Sequence, residues 1–162
     1  SQTIDSADAN YQNANQVLKP LYYTLADPDR LSEVMTNLFD NAVKYSEKGK
    51  ISIGLTGNDK LVQFYIRDTG AGIPAEDLPH LFQKFYRVDN SATRTVGGTG
   101  LGLFICRKII ELYSGQIWVE SKEHQGSTFF INLPRLTAQH AEQLKANEKP
   151  ESILGTSLAI NG

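Results

Sequence analysis

The stretch that decides the fold runs from residue 37 to residue 46 and reads NLFDNAVKYS. It continues a segment whose apolar residues recur at helical spacing, and this pattern predicts an amphipathic helix. The apolar side of the predicted helix is formed by Leu31, Val34, Met35, Leu38, Ala42 and Tyr45. Asp27 as the N-cap and Pro28 at the first helical position predict where the helix begins. Gly49 predicts that it ends near Ser46.

The opposite side of this helix carries what we call the polar stripe. At spacings of four, four and three, the stripe consists of Glu33, Asn37, Asn41 and Lys44. One explanation is the solvated face of an ordinary surface helix. Two asparagines one turn apart are unusual in that role, because Asn disfavours the helical backbone. The other explanation is an oxyanion-rich ligand, since the amide of Asn41 suits a Mg²⁺ shell completed by water and phosphates, and Lys44 suits a phosphate.

A first glycine loop, residues 68–74 with the sequence DTGAGIP, follows a predicted strand. Asp68 stands where a carboxylate leaves the edge of the sheet. Gly70 and Gly72 permit a sharp turn and the close approach of a ligand. An ordinary turn is the alternative explanation, because this pattern alone is a weak signal.

A second glycine loop, residues 97–103 with the sequence GGTGLGL, opens a second predicted helix over residues 100–114. Free N–H groups at a helix start form an anion site. The loop lacks the Gly-Lys-Ser/Thr of a Walker A motif, and Leu103 replaces the third glycine of the dinucleotide-binding fingerprint. Cys106, inside this helix, is predicted to be a buried and inert thiol.

An aromatic and basic segment, residues 81–87 with the sequence LFQKFYR, lies between the two glycine loops. Phe82 and Phe85 are predicted packing anchors, and Tyr86 is suited to stack on a flat base. Three basic side chains of this region can reach phosphate groups: Lys84, Arg87 and Arg94. A solvated basic loop is the alternative for Lys84 and Arg94.

The order of the predicted elements indicates an α/β, or α+β, two-layer sandwich with one mixed β-sheet packed on helices along one face. The predicted strands are residues 16–19, 21–25, 51–56, 62–67, 117–120 and 128–133. One or two short helices are predicted within residues 75–86. We expect a linker or frayed N-terminus at 1–16, one domain at 17–136 and a C-terminal tail at 137–162 that is partly helical near 137–146.

Composition excludes several classes of function. Sixteen Lys and Arg against eighteen Asp and Glu give a net charge of −2, which argues against nucleic acid or an anionic membrane as a partner. A single cysteine excludes a disulfide framework and a cysteine zinc site. No apolar run approaches the roughly 20 residues of a membrane span, and no signal peptide opens the chain. Since its only Met is Met35, we interpret the chain as a piece of a longer protein.

Four motifs in this order resemble the ATP-binding domain of bacterial sensor histidine kinases, within the superfamily that includes gyrase and a heat-shock chaperone. Residues 37–46 resemble the N box of that family, residues 68–73 its G1 box, residues 82–87 its F box and residues 98–103 its G2 box. The resemblance extends from about residue 21 to residue 134. It implies a Bergerat-type ATP-binding fold, with ATP and Mg²⁺ as ligands.

The resemblance also implies roles for individual residues. Asp68 would accept a hydrogen bond from the adenine amino group, and Asn41 would ligate Mg²⁺. Residues 87–99 would form a mobile lid over the nucleotide. The implied catalytic residues are Asn37, Asn41, Lys44 and Arg87. The implied nucleotide-binding residues are Asn37, Asn41, Lys44, Tyr45, Asp68, Gly70, Gly72, Ile73, Tyr86, Arg87, Gly98, Thr99, Gly100, Leu101, Gly102 and Leu103.

The implied activity is that of a protein-histidine kinase, which transfers the γ-phosphate of ATP to a histidine on a separate dimerisation domain. Gyrase-like relatives carry a catalytic Glu where Asn37 stands, and an amide cannot act as a base towards water. None of the three histidines lies in the phosphoacceptor motif of the family, so we interpret His80, His124 and His140 as bystanders. The chain alone is therefore expected to bind ATP only.

The implied partners are the phosphoacceptor histidine domain of the parent kinase and a downstream response regulator. We expect the fragment to be cytoplasmic and monomeric, without membrane contact. The parent protein is expected to be a homodimer, and whether it is tethered to a membrane is left open. Two other functions remain open. One is a regulatory nucleotide-binding module without transfer activity, and the other is a serine kinase of the anti-sigma type.

Overall fold

Four strands and three α-helices make up the described part of the chain, which in this computed structural model comprises residues 21–46, 48–88 and 101–157. The elements in chain order are α1 (Pro28–Lys44), β1 (Ile51–Gly57), β2 (Leu61–Asp68), a 3₁₀ helix (Leu78–His80), α2 (Gly102–Leu112), β3 (Gln116–Lys122), β4 (Gly126–Pro134) and α3 (Ala138–Ser157). None of the described helices is long and apolar enough to cross a membrane.

The strands form a single sheet in the order β1-β2-β4-β3. Each described pairing is antiparallel. Short loops join β1 to β2 and β3 to β4, as antiparallel neighbours allow. In the first of these loops the Asn58 side chain accepts hydrogen bonds from the backbone N–H groups of Lys60 (2.8 Å) and Leu61 (2.9 Å). The connection from β2 to β3 contains α2 and places β3 beyond β4, at an edge of the sheet.

The predicted two-layer sandwich is confirmed. The predicted mixed sheet is not seen among the described strands, which pair only antiparallel. The predicted strand at residues 16–19 lies outside the described residues. The domain limits at residues 16 and 136 stay predictions.

The core lies between the helices and one face of the sheet. Its buried members are Val34, Leu38, Ala42, Ile66, Cys106, Ile109, Ile110, Phe129, Ile131 and Leu133. Alternate residues of β4 contribute, as expected when one face of a strand is covered. Full burial of one such aliphatic side chain stabilises the fold by about 1.5–3 kcal/mol.

Helix α1 begins where the sequence predicts. The Asp27 side chain accepts hydrogen bonds from the backbone N–H groups of Asp29 (2.8 Å) and Arg30 (3.4 Å), and Pro28 is the first helical residue. The helix ends at Lys44, two residues before the predicted end. Tyr45 therefore caps the helix instead of extending its apolar side, and its exposed fraction is 36%.

Small residues allow α2 to pack closely on α1. Cys106 is fully buried and its thiol donates to the backbone oxygen of Val34 at 3.9 Å. Burial raises the pKa of this thiol to about 12. The prediction that Cys106 is buried is thus confirmed, and the high pKa explains why an inert thiol is expected here.

Two predictions about the ends of the chain need correction. The predicted strand at residues 21–25 is reduced to a single bridge between Tyr23 and Leu136, because Pro134, at the end of β4, has no N–H to extend a ladder. The C-terminal helix α3 continues to Ser157, well past the predicted limit near residue 146. It is also docked, since Ala141 is only 6% exposed.

Candidate nucleotide-binding site

The polar stripe of α1 runs past the start of α2. Asn37 and Asn41 are half-buried, whereas Lys44 is exposed. A β-carbon added to Gly102, the first residue of α2, would lie 3.5 Å from the side-chain oxygen of Asn37. The stripe is therefore partly covered by α2, unlike the fully solvated face of an ordinary surface helix.

The N-terminus of α2 provides donors for an anion. The first hydrogen bond of the helix joins the N–H of Ile105 to the oxygen of Leu101 at 2.9 Å, so the N–H groups of residues 102–104 have no acceptor within the helix. The helix dipole adds positive potential at this end. Leu101, Gly102 and Leu103 lie here, as predicted, whereas Gly98, Thr99 and Gly100 lie outside the described residues.

Asp68 ends β2 as a buried carboxyl group with an exposed fraction of 5%. One of its oxygens accepts the backbone N–H of Gly70 at 2.9 Å, and Ser127 lies opposite Asp68 in the strand register. Burial raises the pKa of Asp68, and the nearby backbone groups of Gly70 and Ser127 oppose the increase. The carboxyl group is thus oriented by the protein while its surroundings favour a hydrogen-bonding partner.

The glycines of the first glycine loop are required by contacts with the protein backbone. The N–H of Ala71 donates to the oxygen of Tyr45 at 3.2 Å, and a β-carbon on Gly70 would overlap that oxygen. Gly72 has a φ of 68°, which favours glycine, and a β-carbon there would overlap the carbonyl oxygen of Lys122. The predicted sharp turn is present, and the close approach is to Tyr45 and Lys122.

The far side of this loop is held by the turn between β3 and β4. The N–H of Ile73 donates to the Ser121 hydroxyl at 2.8 Å, and the N–H of His124 donates to the oxygen of Ala71 at 2.6 Å. Sequence reasoning missed Ser121 and treated His124 as a bystander. No local pattern indicates the contact of Ser121 with Ile73, because the two residues are 48 positions apart in the chain.

Helix α1 separates the first glycine loop from the start of α2. The loop contacts α1 at Tyr45, whereas α2 contacts it at Asn37, eight residues earlier. At 1.5 Å per residue this separation is about 12 Å. Asn41 and Lys44 lie along it. The arrangement places the first glycine loop and the N-terminus of α2 about 12 Å apart along α1, with the polar stripe between them.

The segment at residues 81–87 lies beside the start of α2. The hydroxyl of Tyr86 donates to Asp77, which raises the pKa of Tyr86, and its ring packs on His80 at 5.4 Å between centroids. Lys84 lies 6.0 Å from the ring of Phe104, in the first turn of α2.

Not every prediction about this segment holds. Phe82 is an anchor as predicted, since its ring packs edge-on against Phe129 at 6.3 Å. Phe85 is not an anchor: it is 65% exposed, because a left-handed backbone with a φ of 63° turns it outward. Arg87 is exposed at the end of this segment, and Arg94 lies outside the described residues.

The described residues can hold a metal ion only together with other ligands. Within the described ranges, no group of three His, Cys, Asp or Glu side chains comes together. Mg²⁺ keeps several waters and substrate phosphates in its shell, so the single half-buried amide of Asn41 fits such an ion.

Comparison with known proteins identifies the family. A family model described as "Histidine kinase-, DNA gyrase B-, and HSP90-like ATPase" matches residues 26–137. The chain belongs to this family of ATPases. The match includes the polar stripe, both glycine loops and all four strands, whereas helix α3 lies beyond it.

Relatives of the chain within this family are sensor kinases. Sensor protein SrrB of Staphylococcus aureus is 48% identical over 110 residues, which cover 67% of this chain and 19% of SrrB. The chain thus spans about a fifth of the length of this curated relative.

Solved structures agree. The mycobacterial sensor histidine kinase MprB has a TM-score of 0.63 at 28% identity, covering 70% of this chain and 78% of that one. The catalytic domain of histidine kinase ThkA has a TM-score of 0.59 at 36% identity, covering 69% of this chain and 71% of that one. Full-length ShkA in complex with AMPPNP has a TM-score of 0.65 at 31% identity, covering 74% of this chain and 24% of that one. The chain is therefore an ATPase domain of the histidine-kinase type, and the predicted Bergerat fold is confirmed.

Proposed function

We propose that this chain binds ATP together with Mg²⁺ along the polar stripe and presents the γ-phosphate to a histidine on a separate domain of the parent kinase. One observation carries the proposal: the first glycine loop, which follows Asp68, contacts α1 at Tyr45, about 12 Å along the helix from the place where the N-terminus of α2 meets Asn37. A base-reading group and a phosphate-binding group are thereby spaced for one extended nucleotide.

Each end of the cleft has its own task. Asp68 accepts a hydrogen bond from the adenine amino group, and the backbone N–H of Gly70 keeps it oriented for this contact. At the other end, the N–H groups that open α2 bind phosphate, together with Asn37 and Lys44. Asn41 would hold the Mg²⁺ ion, which supplies charge neutralisation on the phosphates when bound.

The remaining predicted residues belong to the rim of this cleft. Tyr45 lines it where α1 ends, Tyr86 packs near the base and Arg87 reaches the terminal phosphate. The lid that the resemblance implies at residues 87–99 lies almost wholly outside the described residues and stays a prediction. Phosphoryl transfer depends mainly on such positioning and charge stabilisation, so no covalent protein group is required.

The nucleophile comes from outside the chain. Asn37 cannot accept a proton from water. His80 packs on Tyr86, and His124 contributes a backbone contact to the first glycine loop. Resemblance to the sensor histidine kinases makes a histidine on a partner domain the acceptor that we propose.

Calorimetric titration of the 162-residue chain tests the binding part of this proposal. We expect ATP to bind with an affinity that Mg²⁺ increases, and Asn41→Ala to lose the Mg²⁺-dependent increase. Asp68→Ala should weaken ATP strongly while leaving the weaker binding of GTP unchanged. Unaltered ATP affinity in Asp68→Ala would show that the base does not lie at Asp68.

A transfer assay tests the reaction. The chain is incubated with ATP labelled at the γ-phosphate and with an added dimerisation domain from a sensor histidine kinase. Acid-labile label on the histidine of that domain is the expected result. Acid-stable label would indicate a serine kinase, and nucleotide binding without transfer would indicate a regulatory module.

The partners and location follow from the same proposal. The parent kinase is a homodimer that passes its phosphate to a response regulator, with this domain in the cytoplasm. Sedimentation of the chain alone should give a monomer, because the dimerisation domain is a separate part. A stable dimer at micromolar concentration would contradict this assignment.

A further inference from the structure

We propose that Ser121 is a positioning residue for adenine recognition, which acts by holding the first glycine loop and thereby the Asp68 carboxylate. The inference rests on the proposed function, in which Asp68 reads the base. Ser121 itself does not touch the nucleotide. Its hydroxyl holds the loop from which the Gly70 N–H donates to Asp68.

The Ser121 hydroxyl joins three segments at one point. It accepts the N–H of Ile73 at 2.8 Å. It lies 2.9 Å from the backbone oxygen of Gly126 and 2.8 Å from the hydroxyl of Ser127. A hydroxyl has one proton to donate and two lone pairs, so it can satisfy a donor on the loop and an acceptor on β4 together.

The surroundings of Asp68 depend on these segments. Gly70 donates to the Asp68 carboxylate at 2.9 Å, and it lies on the loop whose far end, Ile73, is bound to Ser121. Ser127 lies opposite Ser121 on one side and opposite Asp68 on the other in the strand register. The hydroxyl thus ties together the loop that donates to the carboxylate and the strand that pairs with Asp68.

The phosphate end of the cleft is independent of this junction. Asn37 and the start of α2 contact each other about 12 Å along α1 from the loop. Loss of the Ser121 hydroxyl leaves the N–H of Ile73 without its partner in a half-buried place and loosens the loop. The effect should therefore fall on base selection and spare phosphate binding.

The test compares the affinities of ATP and GTP for the 162-residue chain by calorimetry. In Ser121→Ala we expect ATP affinity to fall roughly three- to tenfold, the effect of one lost hydrogen bond, with GTP affinity unchanged. Ser121→Thr retains the hydroxyl and should recover most of the ATP preference. Val62→Ala, buried at the other end of β2, is the control: it lowers stability and should leave the ATP-to-GTP ratio unchanged.

A double-mutant cycle separates this inference from the proposed function. In an Asp68→Asn background, Ser121→Ala should have no further effect on the ratio. If Asp68→Asn removes the ATP preference but Ser121→Ala keeps the wild-type ratio, the inference is overturned and the proposed function stands. If Asp68→Asn keeps the preference, the base-reading role fails and the inference fails with it. Should Ser121→Ala not fold, Ser121→Cys, a weaker hydrogen-bonding group, must give an intermediate ratio.

Discussion

Replacement of Gly72 by alanine tests whether the first glycine loop is held by the backbone contacts described above. Gly72 combines a φ of 68° with a position in which a β-carbon would overlap the Lys122 carbonyl oxygen and lie 2.8 Å from its carbon. The carbonyl belongs to β3 and is fixed by pairing with β4. The methyl group therefore cannot be accommodated by a side-chain rotation, and the loop must move.

The expected cost has two parts. A non-glycine residue in the left-handed conformation costs roughly 1–2 kcal/mol. Moving the loop away from β3 endangers two hydrogen bonds, Ile73 to Ser121 and His124 to Ala71, at about 1 kcal/mol each. We expect Gly72→Ala to lower the free energy of unfolding by about 3–4 kcal/mol, and Tm by roughly 10 °C for a chain of this size.

Urea denaturation followed by tryptophan fluorescence measures this difference. The chain has a single tryptophan, Trp118, which stacks on Phe130 at 5.1 Å in the sheet and so reports its unfolding. Gly102→Ala is the matched control, because its methyl group would lie 3.5 Å from Asn37, an ordinary contact, in a helix that favours alanine. A Gly72→Ala variant within 1 kcal/mol of the wild type would refute the reasoning.

Three other predictions concern single side chains. Native Cys106 should not react with a thiol reagent at pH 8, because burial raises the pKa of this thiol to about 12. We expect the thiol to be labelled only as fast as the protein unfolds, and immediate labelling would contradict the packing. Ala141→Asp should lower the free energy of unfolding by about 2–3 kcal/mol, because it buries a charge. Ala146→Asp, on the exposed side of α3, is the control and should change that free energy little. Equal effects of the two substitutions would show that α3 is not docked. Because burial raises the pKa of Asp68, this carboxyl group loses its charge on acidification at a higher pH than an exposed Asp does. The difference in ATP affinity between the wild type and Asp68→Asn should therefore shrink as the pH falls from 7 towards 4.5. A constant difference would exclude an ionised acceptor.

Local chemistry accounts for what the sequence predicted well. The start of α1 depends on Asp27 and Pro28, whose effects reach only the first turn of the helix. Both residues occupy the predicted positions. The predicted strands at residues 51–56 and 62–67 are found within one residue of their predicted limits. Residues of the polar stripe share one helix, so their common face follows from helical periodicity alone.

Non-local contacts account for what the sequence did not predict. The segment at residues 21–25 has the pattern of a strand, but its single bridge is set by where β4 ends. Phe85 is a large aromatic residue of the kind that anchors a segment, yet its orientation depends on a left-handed backbone conformation that no local pattern predicts. Helix α3 contains few large apolar residues, and it docks through the small Ala141, with Lys145 lying over the ring of Tyr23.

The support of the candidate site depends on strand register, which explains why sequence reasoning found Asp68 and missed Ser121. The two residues are far apart in the chain and become neighbours only because β2, β4 and β3 pair with Asp68, Ser127 and Ser121 in one row. A slip of β3 by one residue would turn Ser121 to the other face of the sheet and bring a charged neighbour, Glu120 or Lys122, towards the loop. The apolar residues Ile117 and Val119, which pack against the core, oppose that slip because they would lose their burial. The packing that holds β3 in place is therefore also what places the Ser121 hydroxyl under the loop that carries the base-reading carboxylate.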